Sequence, residues 1–80
     1  MGNRTCIVVS SSENLSSEET EEKLEKLDKT LTTQCQGGVV KLGDHFILPP
    51  QVWVFSREKL RDAKTLIANH GFSIVSEEKP

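Results

Sequence analysis

The chain is poor in the residues that staple, coordinate or stack. Two cysteines, Cys6 and Cys35, stand in 80 residues, too few for the disulfide framework of a small secreted domain. Cys6 lies inside the apolar run Thr5–Val9, where a thiol serves as a small buried hydrophobe in a reducing compartment. The longest apolar stretch of the N-terminal region, Cys6–Val9, is far shorter than a signal-peptide core or a membrane span. These absences set the expectation of a cytoplasmic or nuclear protein with no membrane contact. Met1-Gly2 opens like a myristoylation acceptor, but Cys6 holds the position that needs Ser or Thr. Asn3-Arg4-Thr5 and Asn14-Leu15-Ser16 match glycosylation acceptors, which are chance matches in a chain that is not secreted.

The chemistry of catalysis and metal binding is equally sparse. His45 and His70 are scattered relative to the cysteines, with no paired-ligand spacing. No metal site and no Cys–His pair is therefore expected. Gly37-Gly38 is not followed by the Lys-Ser/Thr of a phosphate loop. No pattern puts an acid or base where burial and a neighbour would shift its pKa. The expectation is a protein without catalytic residues and without a cofactor.

What remains is a foldable α+β pattern. The apolar fraction is 35%, the charged fraction 28% and the net charge −2, which fits one small domain over residues 1–80 with an ordered core of about 4–76 and modest stability. Arg4–Ser10 reads as a strand, with Ile7 and Val9 on one face and Cys6 and Val8 on the other. Such two-sided apolar character implies a covered central strand or a face kept for a partner. Ser16-x-x-Glu19 is a capping box opening a helix to about Thr32, whose apolar stripe is Leu24, Leu27 and Leu31. Glu19–Lys23, Glu22–Lys26 and Glu25–Lys29 are pairs in the favourable order on its charged back.

Gly37-Gly38 predicts a sharp turn in a loop over Gln34–Gly38. Gly43-Asp44 between Val39–Leu42 and His45–Leu48 predicts a two-residue hairpin. Pro49-Pro50 interrupts the strand before Val52–Phe55 and marks a bulge, a kink or a sheet edge. Ser56 is the expected cap of a second helix, with Phe55 and Leu60 as its hydrophobic staple and Leu60, Ala63 and Ile67 as its buried stripe. Gly71 stops that helix, His70 serves its C-terminal end, Phe72–Val75 forms the last strand, and Ser76–Pro80 frays.

The resulting order, β-α-β-β-α-β, is that of a ferredoxin-like two-layer sandwich, an antiparallel sheet with two helices on one face. Right-handed crossovers place the first and third strands at its centre; a proline split of the third strand would give five strands and a different sheet.

Three functions compete on this frame. A nucleic-acid platform needs aromatics on both central strands; Trp53 and Phe55 share one face of the third, but the first has none, and the chain is acidic overall. Helix two carries Arg57, Lys59, Arg61 and Lys64 with Glu58 and Asp62 interleaved, the pattern of a solvated face. Nucleic acid is disfavoured. A metabolite sensor resembling the amino-acid-binding ACT domains in topology would bind a small-molecule effector at Ser10–Asn14, although the glycine of that family is missing there. Leu42–Phe46, Gly71–Ser76 and Thr5–Ser10 also look like segments of the feedback regulatory protein of GTP cyclohydrolase I, over about a quarter of the chain and with different spacing.

The preferred expectation is a non-catalytic adaptor or small regulatory subunit that binds a protein partner or its own copy. It would use an apolar sheet face or sheet edge, because two narrow helical stripes cannot shield both faces of the strands. Val40, Leu42, Trp53 and Phe55 are its expected contact residues, with Ile47 and Ile74 in the same patch and Leu48–Gln51 as a second surface. Ser10-x-x-Glu13 and Ser16-x-x-Glu19 resemble acidic-directed kinase sites, but helix capping accounts for the serines.

Overall fold

A computed structural model describes residues 4–11 and 14–78. The myristoylation-like start, the Asn3 acceptor, the centre of the Ser10–Asn14 loop and the last two residues lie outside the described residues. The elements are β1 (Thr5–Ser11), α1 (Ser17–Gln34), β2 (Gly37–Val39), β3 (Lys41–Leu42), β4 (His45–Phe46), β5 (Gln51–Val54), α2 (Leu60–Asn69) after a 3-10 turn at Arg57–Lys59, and β6 (Phe72–Glu78). Four strands form an antiparallel sheet in the order β2-β5-β1-β6, with β1 and β5 at its centre. β3 and β4 make a separate two-stranded sheet. The protein is thus a small α+β domain with a four-stranded antiparallel sheet and two helices.

One face of the sheet meets both helices. Ile7 and Val9 of β1, Val52 and Val54 of β5 and Val39 of β2 are buried with Leu24, Leu27 and Leu31 of α1 and Ala63 and Ile67 of α2. Every Leu of the α1 stripe is fully enclosed, because three- and four-residue spacing puts all three on one side of the helix. The capping box is present: the Ser16 hydroxyl accepts from the Glu19 amide and Glu19 reaches back to the Ser16 amide. Of the expected pairs on the charged back, Glu25 and Lys29 stand 3.9 Å apart. Gly43 has φ +67 and opens the hairpin turn, the positive φ that a tight hairpin asks of its first central residue. Gly71 (φ +84) ends α2, where the His70 ring lies 2.8 Å from the Leu66 carbonyl.

Several local expectations give way to tertiary demands. Gly37 and Gly38 do not turn the chain; they are strand residues of β2, and the left-handed residue is Gln36 (φ 51). A Cβ on Gly38 would lie 2.9 Å from Asp28 Oδ1 and 3.1 Å from the Trp53 ring, so the glycine permits a close approach. The strand expected over Val39–Leu42 breaks at Val40, and the proline pair separates β4 from β5. Pro50 is buried, and its carbonyl accepts from the Val9 amide at 3.0 Å. The prolines therefore lead into an interior strand, and they do not mark a sheet edge. Ser56 makes no side-chain cap, and Phe55 packs on Trp53 in place of stapling α2. The last strand continues through Ser76–Glu78, paired with Val8–Cys6, where fraying was expected.

Candidate interaction surface

The second face of the sheet has no helix over it. Strand alternation and the register place Cys6 and Val8 of β1, Gln51 and Trp53 of β5 and Gly38 of β2 on this side. Cys6 is opposite Trp53, and its thiol lies 3.6 Å from the Gln51 side-chain oxygen. The Trp53 and Phe55 rings stand 4.6 Å apart, tilted by 56°, a geometry favoured by aromatic pairs. Trp53 is half-buried and Phe55 is 49% exposed. The face is nearly uncharged: among the four strands' residues on this side, only Glu78, opposite Cys6, carries a formal charge.

The expected contact residues divide. Trp53 and Phe55 are in ring contact. Val40 is half-buried, its amide donating to the Gln51 carbonyl at 2.8 Å, and it continues the Gly38 side by alternation. Leu42 leaves this surface: the break at Val40 carries it into the β3–β4 hairpin, where it is 78% exposed. Ile74 leaves too, because it pairs with Val9 and so points to the helix side. The departure of Leu42 could not be read from period-two alternation, since it depends on a strand break; that of Ile74 follows from its pairing with Val9, ahead of the bulge.

Both edges of the sheet are guarded. The bonds from Val40 to Gln51 and from Phe55 to Gln36 turn Gln36, Gly38 and Val40 toward β5, so Gly37 and Val39 present their backbone outward. Two α1 side chains one turn apart meet them. Asp28 Oδ1 accepts from the Val39 amide at 2.8 Å, and the Thr32 hydroxyl shares its proton between the Asp28 carbonyl of its own helix at 2.8 Å and the Gly37 carbonyl at 3.1 Å. On the other edge, β6 skips Val75 between the pairs Val9–Ile74 and Val8–Ser76. Such a bulge interrupts the flat row of groups that an incoming strand needs.

Hollows lie on the helix layer among the described residues. One, of about 630 Å³, is a wide-open depression along α2 beside Arg57, Arg61 and Lys64; Lys64 is held by Glu77 of β6 at 2.6 Å. Another, of about 220 Å³, is more enclosed and sits between the first turns of α1 and the hairpin. Among the described residues no cluster of His, Cys, Asp or Glu has the arrangement to hold a metal, and no helix is long and apolar enough to cross a membrane. Burial pushes the Cys35 thiol pKa up, Asp62 adds to the rise and Lys59 opposes it. No protein-family model, curated protein or solved structure matches this chain.

Proposed function

We propose that this chain is a non-catalytic protein–protein interaction module, built on the ferredoxin-like order, that pairs with a second copy of itself through the open face of its sheet. The strand order supports the architectural part. Numbered among the four sheet strands, it runs 2-3-1-4, the arrangement that two right-handed crossovers generate from β-α-β-β-α-β. The observation that carries the function is the Trp53–Phe55 ring pair on a face that neither helix covers. Buried aromatics at the centre of a patch are the usual energetic anchors of an interface.

A second copy is the favoured occupant because the face is almost free of charge. Two such faces meet without like-charge repulsion, whereas the charged backs of the helices do not. The guarded edges leave face-to-face packing as the open route. Strands of 7, 3, 4 and 7 residues, at about 3.3 Å per residue and about 4.8 Å apart, give roughly 330 Å² of footprint per copy. That is smaller than standard specific interfaces, so the association is weak and reversible, weaker than micromolar. The unpaired thiols suit a reducing compartment, and a cytoplasmic or nuclear location is part of the proposal.

Sedimentation equilibrium between about 10 µM and 1 mM tests it. A reversible dimer is expected, weakened about 30-fold or more by Trp53→Ala, as loss of a hot-spot side chain implies. Alkylation of Cys6 should slow as protein concentration rises, because the thiol lies opposite Trp53 on the same face. A variant that loses folding stability while associating as before would assign Trp53 to the core. A monomer at 1 mM that binds RNA or DNA in a salt-sensitive manner would move the face to nucleic acid.

A further inference from the structure

The enclosed hollow on the helix layer has a lining of definite chemistry. Ser17, Thr20, Glu21 and Leu24 recur at helical spacing, so the first two turns of α1 present them on one side. The hairpin covers that side. His45 Nδ1 lies 3.1 Å from Glu21 Oε1, and Ile47 donates to the Val40 carbonyl at 3.4 Å. Leu15, Leu24, Phe46 and Leu48 supply the hydrocarbon of the walls. The polar residues of the lining are Ser17, Thr20 and Glu21, whose side chains all end in oxygen. The Thr20 hydroxyl spends its proton on the Ser16 carbonyl at 2.9 Å, which leaves its lone pairs free to accept. No Lys, Arg or His stands among the described residues that line the space.

From this cavity we infer a binding site for a small aliphatic molecule that carries a hydrogen-bond donor, an amine or an alcohol, with its hydrocarbon among the four apolar side chains and its donor toward the side-chain oxygens of Ser17, Thr20 and Glu21. The volume, about 220 Å³, is below the ~300–1,000 Å³ of pockets for drug-sized ligands. It suits a body of five or so carbons, for which a dissociation constant near millimolar lies well within the ceiling for very small ligands. An anion is rejected, because a carboxylate would face Glu21 with no cation in the lining. Leu48 is 71% exposed, so the wall it forms lies open to solvent, where a ligand enters.

The test uses the full chain labelled with ¹⁵N and three probes of one size: 3-methylbutylamine, 3-methylbutanol and 3-methylbutanoate. The amine or the alcohol should give saturable amide shifts confined to residues 15–24 and 45–48, and the acid should give none. Leu15→Trp, which fills the space from its rim, should weaken the response at least tenfold; Glu21→Gln should weaken the amine more than the alcohol. Leu48→Ala serves in place of Leu15→Trp if that variant does not fold. Absence of saturable shifts up to 50 mM, equal shifts from the acid, or an unchanged response in both wall variants would each overturn the inference. Shifts at the same residues from protein concentration alone would assign the cavity to an interface and likewise overturn it. The open sheet face takes no part in these readouts, so this site and the dimer stand or fall separately.

Discussion

Removing the Asp28 carboxylate should both soften the domain and unlock a sheet edge. Asp28 Oδ1 accepts the outward amide of Val39 at 2.8 Å in a partly buried setting. A hydrogen bond to a charged acceptor contributes about 1.5–3 kcal/mol when its partner is otherwise left unsatisfied. Alanine returns about 0.5 kcal/mol through its better helix propensity, so Asp28→Ala should cost about 1–2.5 kcal/mol. A domain of this size holds roughly 4–12 kcal/mol in all. With a urea m-value of about 1 kcal/mol/M, the midpoint should fall by about 1–2.5 M. Hydrogen exchange gives the local readout: the Val39 amide should lose protection by more than the global change requires. Asp28→Asn keeps a carbonyl acceptor at the same place and should show less than half of the loss. The variant's freed edge should also promote concentration-dependent aggregation in Asp28→Ala but not in Asp28→Asn. Equal stability of Asp28→Ala and the parent, with Val39 equally protected, would refute the sealing role. So would an asparagine variant as damaged as the alanine one.

Two further outcomes follow from the same geometry. Gly38→Ala should lose about 1–3 kcal/mol in urea denaturation, because its methyl group meets Asp28 Oδ1 and the Trp53 ring at once; a neutral result would mean that β2 can move away from β5 freely. Cys35 should resist thiol reagents in the native state while the half-buried Cys6 reacts. Burial, and secondarily Asp62, raises the folded-state pKa of Cys35. Its contribution to stability is therefore whole below the unfolded thiol value of about 8.5 and is lost as pH climbs through the folded one. Denaturation midpoints of Cys35→Ala should decline less than those of the parent above about pH 8.5; parallel declines would remove the thiol from the account.

The parts of this fold that could be read from the sequence are those with local causes. The capping box of Ser16 and Glu19, the three leucines of α1, the positive φ of Gly43 and the Gly71 stop each depend on residues within a turn or two. The parts that could not be read depend on distant partners. Gly37 and Gly38 have turn chemistry, but their neighbours are Asp28 and Trp53. Ser76-Glu77-Glu78 has the composition of a fraying tail, yet β1 supplies a full set of partners for it. Phe55 has the spacing of a staple, and the Trp53 ring claims it first. In the candidate surface, the shared side of Trp53 and Phe55 followed from alternation alone. The loss of Leu42 from it followed from a strand break and that of Ile74 from the pairing of β6 with β1, neither of which leaves a local trace.

The additional residue at Val75 has a consequence for how the C-terminal strand tolerates change. A strand has two sides, so one inserted position reverses the parity of everything beyond it. In the unbulged count Glu77 would look outward from the uncovered side; with Val75 interposed it faces inward beside Ile7 and reaches Lys64 of α2. Odd-numbered insertions or deletions between Phe72 and Glu77 would therefore exchange inside for outside along the strand's end and release that tie, whereas even-numbered ones would preserve it.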